Sequence, residues 1–135
     1  TTPYANLMQG YLFSDVSQSS PCHMTIAGLG AGNYNIYFLT QGDTGTAGRR
    51  LGVSIGSETQ VANASVAAAN TFILNQNYLK FSNVAMTGGE LFIEWWMVAG
   101  EANINGIQIE SAVPAPGAVA LLGVAGLVGG RRRRA

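Results

Sequence analysis

An alternation of apolar and mixed residues is the feature of this chain that most constrains its fold. The alternation is clearest between residues 90 and 98, where every second side chain is apolar: Leu91, Ile93, Trp95, Met97. Successive side chains of a β-strand point to opposite faces, so a period of two predicts a strand with one buried face. The adjacent Trp95 and Trp96 are therefore expected on opposite faces of that strand.

The same period recurs in short runs that are separated by glycine and other turn-forming residues. It predicts strands at 22–27, 33–40, 50–55, 78–84, 90–98 and 102–110, with one or two more around 8–13. Residues 33–40 are apolar on both faces, which predicts a central strand covered on two sides. The apolar phase slips at Gly106, where we expect a bulge. The segment 57–77 has no clear period, and residues 62–69 suit either a loop or a short helical turn.

Many short strands without a long amphipathic helix predict an all-β fold, an antiparallel β-sandwich over residues 1–111. Several short motifs resemble those of bacterial extracellular jelly-roll domains of the galactose-binding-like type. They are Gly28-Leu29, Gly-Asn-Tyr-Asn-Ile-Tyr at 32–37, Phe81 with Val84, Gly89 with Leu91 and Ile93, and Asn-Ile-Asn-Gly-Ile-Gln-Ile at 103–109. The resemblance implies a jelly-roll topology for the sandwich.

The formal net charge of zero hides an uneven distribution of charge along the chain. Residues 1–112 contain three basic and seven acidic residues, a net charge of −4, and four arginines near the C-terminus cancel it. A body of this sign argues against nucleic acid or an anionic membrane surface as a partner.

The C-terminal segment, residues 112–135, has a composition unlike that of the body. A Val-Pro-Ala-Pro spacer precedes an apolar run at 117–130, and Arg131, Arg132, Arg133 and Arg134 follow it. As a helix, this run would be about 21 Å long, against about 30 Å for the hydrocarbon core of a bilayer. The sequence therefore predicts a short hydrophobic helix that anchors only marginally, with its arginines on the cytoplasmic side.

This segment resembles the PEP-CTERM sorting signal of Gram-negative bacteria. The match lies on Val113, Pro114, Pro116 and the arginine cluster 131–134, while Ala115 stands where the family usually has Glu. The resemblance implies export, transient anchoring in the inner membrane and processing near the Pro-x-Pro motif by an exosortase embedded in the membrane. The destination would be the cell surface or extracellular matrix. Such a signal works only on an exported chain, so we expect a signal peptide upstream of Thr1.

Residues that carry catalytic or metal chemistry are few. His23 is the single histidine and Cys22 the single cysteine, and no Ser/His/Asp motif is present. Glu90 and Glu94 would lie about 13 Å apart on one strand face, too far for a glycosidase carboxylate pair. We therefore predict no catalytic residue, no enzymatic activity and no cofactor. Asp43 is a weak candidate ligand for structural calcium, and a plain turn is the favoured explanation.

The favoured hypothesis is a non-catalytic exported surface or matrix protein whose partners are the export machinery and an exosortase. A second hypothesis is a carbohydrate-binding module that holds a polysaccharide on an exposed Trp95 or Trp96 beside Glu94. If a loop instead covers the tryptophan, no such site exists. A third hypothesis is the accessory C-terminal domain of a longer secreted enzyme.

Overall fold

The computed structural model describes residues 10–41, 48–63 and 72–112, and these contain nine β-strands and no helix. The strands are β1 (Leu12–Ser14), β2 (Cys22–Leu29), β3 (Gly32–Leu39), β4 (Arg50–Ile55), β5 (Glu58–Val61), β6 (Tyr78–Met86), β7 (Gly89–Ala99), β8 (Ala102–Ile104) and β9 (Gly106–Ser111). All pairings between these strands are antiparallel. The predicted all-β antiparallel class is confirmed. The predicted C-terminal helix lies outside the described residues.

Two sheets carry most of the structure, one with the order β2-β7-β4-β5 and the other with the order β6-β3-β9. Alternate residues of both sheets meet in one hydrophobic core, as in a sandwich. Phe38 on β3 and Phe81 on β6 pack edge to face in it, with ring centroids 5.7 Å apart. The larger sheet contributes Leu51, Val53, Leu91, Ile93 and Trp95. A short third sheet pairs β1 with β8.

The prediction for residues 33–40 is half right. The strand β3 is central in its sheet, between β6 and β9, and buries Ile36 and Phe38 completely. Its other face is only partly covered, since Tyr37 and Leu39 are half-buried and the hydroxyl of Tyr37 makes an exposed hydrogen bond. The outer face of β3 is therefore less covered than its inner face.

The prediction of one strand with a bulge at Gly106 was wrong. The chain instead leaves the ladder at Asn105, between β8, which pairs with β1, and β9, which pairs with β3. Asn105 donates its backbone N–H to the Leu39 carbonyl over 2.8 Å, and its Oδ1 accepts from the Gln41 N–H over 2.6 Å. The slip in apolar phase thus marks a change of sheet.

The strand β5 falls inside the segment that showed no clear period. It follows β4 through a two-residue turn at Gly56 and Ser57, and Gly56 has a φ of 58°. A Gly-Ser pair between two runs is a hairpin signal, but Glu-Thr-Gln-Val lacks the apolar alternation of a half-buried strand. As an edge strand it needs little apolar surface.

Within 10–41, 48–63 and 72–112, no helix has the length and hydropathy to cross a bilayer.

Candidate functional site

Both tryptophans are buried, so neither presents the exposed indole that the carbohydrate-binding hypothesis requires. Trp95 is 5% exposed and lies in the core, whereas Trp96 is 3% exposed on the outer face of the larger sheet. Trp96 lies opposite Gly52 of β4, and a Cβ at Gly52 would fall 2.6 Å from the indole Nε1. The indole occupies the space that a side chain at position 52 would need. The predicted ligand role of these residues therefore loses the exposed ring on which it depended.

Glu94, the third predicted ligand-binding residue, lies on this outer face beside His23. The two residues are cross-strand partners of β7 and β2, with His23 Nδ1 3.8 Å from Glu94 Oε1. Phe92 is 53% exposed, and its ring centroid is 5.2 Å from that of His23. His23 therefore lies in a partly exposed position. An exposed ion pair of this kind contributes little to stability.

The remaining predicted site residues lie outside the described part of the chain. They are Asp43 and the tail residues Val113, Pro114, Pro116 and Arg131–Arg134. Cys22 is half-buried against the core, and its Sγ donates to Ser14 Oγ over 3.2 Å. Half-burial beside the core is a usual environment for a structural cysteine.

The outer face of the three-stranded sheet carries a cluster that the sequence analysis did not identify. We call it the tyrosine surface, and it comprises Tyr37, Tyr78, Phe72, Asn35, Lys80, Gln108 and Glu110. We call its three rings the aromatic row, because the Tyr78 ring lies beside both others. Its centroid is 6.4 Å from that of Tyr37, with the ring planes tilted by 39°, and 6.2 Å from that of Phe72, with the ring planes at 86°. The two tyrosines are half-buried, and Phe72 is 39% exposed.

A hydrogen-bond network fixes one end of the tyrosine surface. The hydroxyl of Tyr37 donates to Glu110 Oε1 over 2.5 Å, and Asn35 Nδ2 donates to the same oxygen over 3.3 Å. Asn35 is itself held by the backbone N–H of Asn83, which donates to its Oδ1 over 3.2 Å. Lys80 Nζ lies 5.3 Å from the centroid of the Tyr37 ring, within cation–π range. These contacts set the orientation of the carboxylate and of the Tyr37 ring.

The same network shifts two ionisation equilibria in opposite directions. The hydrogen bonds from Tyr37 and then Asn35 lower the pKa of Glu110 below its ordinary value of 4.5, because they favour the charged carboxylate. The hydrogen bond to Glu110 raises the pKa of Tyr37 above 10.0, because it favours the protonated hydroxyl. The pair is therefore held as a phenol and a carboxylate throughout the neutral range.

Tyr37→Phe is expected to remove the alkaline part of this pH dependence and to weaken the acidic part, to which Asn35 also contributes, while it keeps the ring. Because the folded-state pKa of Glu110 is lowered, the stabilisation is present above 4.5 and is lost as the pH falls through the lower folded-state value. Because that of Tyr37 is raised, the stabilisation is also lost as the pH rises from 10.0 through the higher folded-state value. The difference in unfolding free energy between parent and variant should be widest at neutral pH. Urea unfolding at acidic, neutral and alkaline pH measures it, and a difference independent of pH would contradict the assignment.

The sequence contained part of the signal for this surface. Tyr37 alternates with the core residues Ile36 and Phe38, and Gln108 and Glu110 alternate with Ile107 and Ile109 in the same way. What the alternation does not give is the pairing of β3 with both β6 and β9, which brings these distant segments together.

Within 10–41, 48–63 and 72–112, no three His, Cys, Asp or Glu side chains converge as a metal site would require. Comparisons of the chain with protein-family models, with curated proteins and with solved structures returned no match.

Proposed function

We propose that this chain is a non-catalytic, exported protein of the bacterial cell surface or extracellular matrix, sorted and processed through its C-terminal tail. The observation that carries the proposal is the order of three parts in the sequence. A Pro114-x-Pro116 spacer comes first, an apolar run at 117–130 second, and a terminal cluster of arginines, 131–134, third. This layout is similar to that of PEP-CTERM signals.

The physical properties of the three parts support transient anchoring. Five of the residues between 117 and 130 are glycine, which lowers both the hydrophobicity and the helix propensity of the run. Arginines are costly to move across a bilayer and mark the cytoplasmic side. Such a segment can hold a chain at the inner membrane until an exosortase processes it. Release would then deliver the body to the surface of a Gram-negative cell.

The body suits an extracellular role under this proposal. Its two antiparallel sheets enclose one core, which is the architecture that a galactose-binding-like jelly roll requires. Its net charge of −4 disfavours nucleic acid as a partner. The role of an accessory domain in a longer secreted enzyme stays an alternative prediction. The carbohydrate-binding alternative no longer rests on the tryptophans. The observation that favours it is the tyrosine surface.

Replacement of Arg131–Arg134 by Gln is expected to abolish sorting. The full chain is expressed behind a signal peptide in a Gram-negative host that carries an exosortase, and surface protein is measured by labelling of intact cells. Without the basic cluster, nothing fixes the C-terminal end on the cytoplasmic side. Ala135→Gln is the matched control, since it changes the terminus but not its charge. Unchanged surface delivery of the Arg→Gln chain would contradict the proposal.

A further inference from the structure

We propose that the tyrosine surface is a binding site for a neutral polysaccharide, whose chain lies across β6, β3 and β9. The inference goes beyond sorting and does not depend on the tail, because it rests on the described residues of the body alone.

The aromatic row provides the apolar part of the site. Phe72, Tyr78 and Tyr37 follow one another at centroid separations of 6.2 and 6.4 Å. The C–H faces of a sugar ring are apolar and pack against aromatic rings. Tyrosine and phenylalanine offer large contact areas at low conformational-entropy cost, because each has only two side-chain torsions.

The polar groups beside the row provide the hydrogen bonds that sugar hydroxyls need. Both described contacts of Glu110 go to Oε1, and an ionised carboxylate has acceptor positions on two oxygens. Gln108 is exposed on the same strand and carries both a donor and an acceptor. Because Tyr37 and Asn35 already hold Glu110 in place, binding would order few side chains, and that lowers its entropic cost.

The charge of the surface selects among polysaccharides. Glu110 is held as a carboxylate, and the body around it has a net charge of −4. A uronic acid polymer would place further carboxylates beside these, which is unfavourable. Lys80 contacts the Tyr37 ring and supplies the single positive charge of the tyrosine surface. A neutral chain is therefore the occupant that fits.

Affinity electrophoresis of the full 135-residue chain tests the inference. Gels contain dextran, a soluble β-glucan or galactomannan as neutral probes, and polygalacturonate as the anionic probe. We expect retardation by at least one neutral polymer. We expect none by polygalacturonate once Arg131–Arg134 are replaced by Gln, because the basic cluster would itself attract an anionic polymer. Tyr78→Ala should weaken the retention about tenfold or more, as expected for a central aromatic contact. Phe92→Ala is the matched control, because Phe92 is an exposed ring on the other sheet, and it should bind like the parent.

Three outcomes would overturn the inference: no retardation by any neutral polymer, full binding by Tyr78→Ala, or an equal loss in Phe92→Ala. Far-UV circular dichroism checks that each variant folds. If Tyr78→Ala does not fold, amide NMR shifts of the parent with the retained polymer decide instead. Shifts concentrated in β3, β6 and β9 support the site, and shifts concentrated in β2 and β7 contradict it. The chain with Arg131–Arg134 replaced should bind equally well, so sorting and binding fail independently.

Discussion

Phe38→Ala is expected to lower the free energy of unfolding by about 3–5 kcal/mol, the usual cost of removing a large aromatic side chain from a packed core. Phe38 is 0% exposed on the central strand of its sheet and packs edge to face against Phe81. Phe38 belongs to the core cluster that side chains of both sheets form, and close packing leaves that cluster little room to relax into the resulting cavity. A loss of this size is a large fraction of the stability of a small domain.

Phe92→Ala is the matched control for this prediction. It removes the same side chain from β7, but Phe92 is 53% exposed and its described ring contact is with His23. We expect a loss of about 1 kcal/mol or less. Chemical unfolding of both variants, followed by tryptophan fluorescence, gives the comparison. Equal losses in the two variants would contradict the placement of the core between the sheets.

Gly52→Ala is expected to cost about 1–3 kcal/mol, although it adds only one methyl group. The new carbon would fall 2.6 Å from Nε1 of Trp96 and 2.8 Å from Cζ2, so the indole must move out of its buried position. Gly10→Ala is the control, because within the described part of the chain no atom outside its chain neighbours lies within 4 Å of the position its Cβ would take. A shift in Trp fluorescence should accompany the loss of stability in Gly52→Ala alone.

A double-mutant cycle separates the close contact from any general effect of alanine in β4. In a Trp96→Phe background the smaller ring leaves room at position 52, so Gly52→Ala should cost less than in the parent. If the cost is the same in both backgrounds, the contact between Gly52 and Trp96 is not its cause.

The local sequence pattern predicted where most strands lie, but it did not predict which strands pair. The alternation around residues 90–98 is a local property, and β7 lies where it indicates. Trp96 is buried because β4 and β7 pair in the register that places it opposite Gly52. The two residues are distant in sequence, and the alternation within either strand does not reveal that register. Local alternation also cannot distinguish a bulge from a change of sheet, which is why the slip at Gly106 predicted a bulge.

The tyrosine surface shows the same limit for a candidate site. Three adjacent strands place Tyr37, Lys80 and Gln108 side by side, and each is an ordinary outward-facing residue within its own strand. Their combination becomes visible only when β3 is known to lie between β6 and β9. The tail is the opposite case, because its parts are contiguous and its interpretation needs no tertiary contact.

The most direct test of the sorting account is the intact mass of the chain recovered from the cell surface. The proposal predicts a mass that lacks Arg131–Arg134 and ends near the Pro114-x-Pro116 motif. The same chain in a host without an exosortase should keep its arginines. A surface-exposed chain that retains the four arginines in the presence of the exosortase would contradict the account.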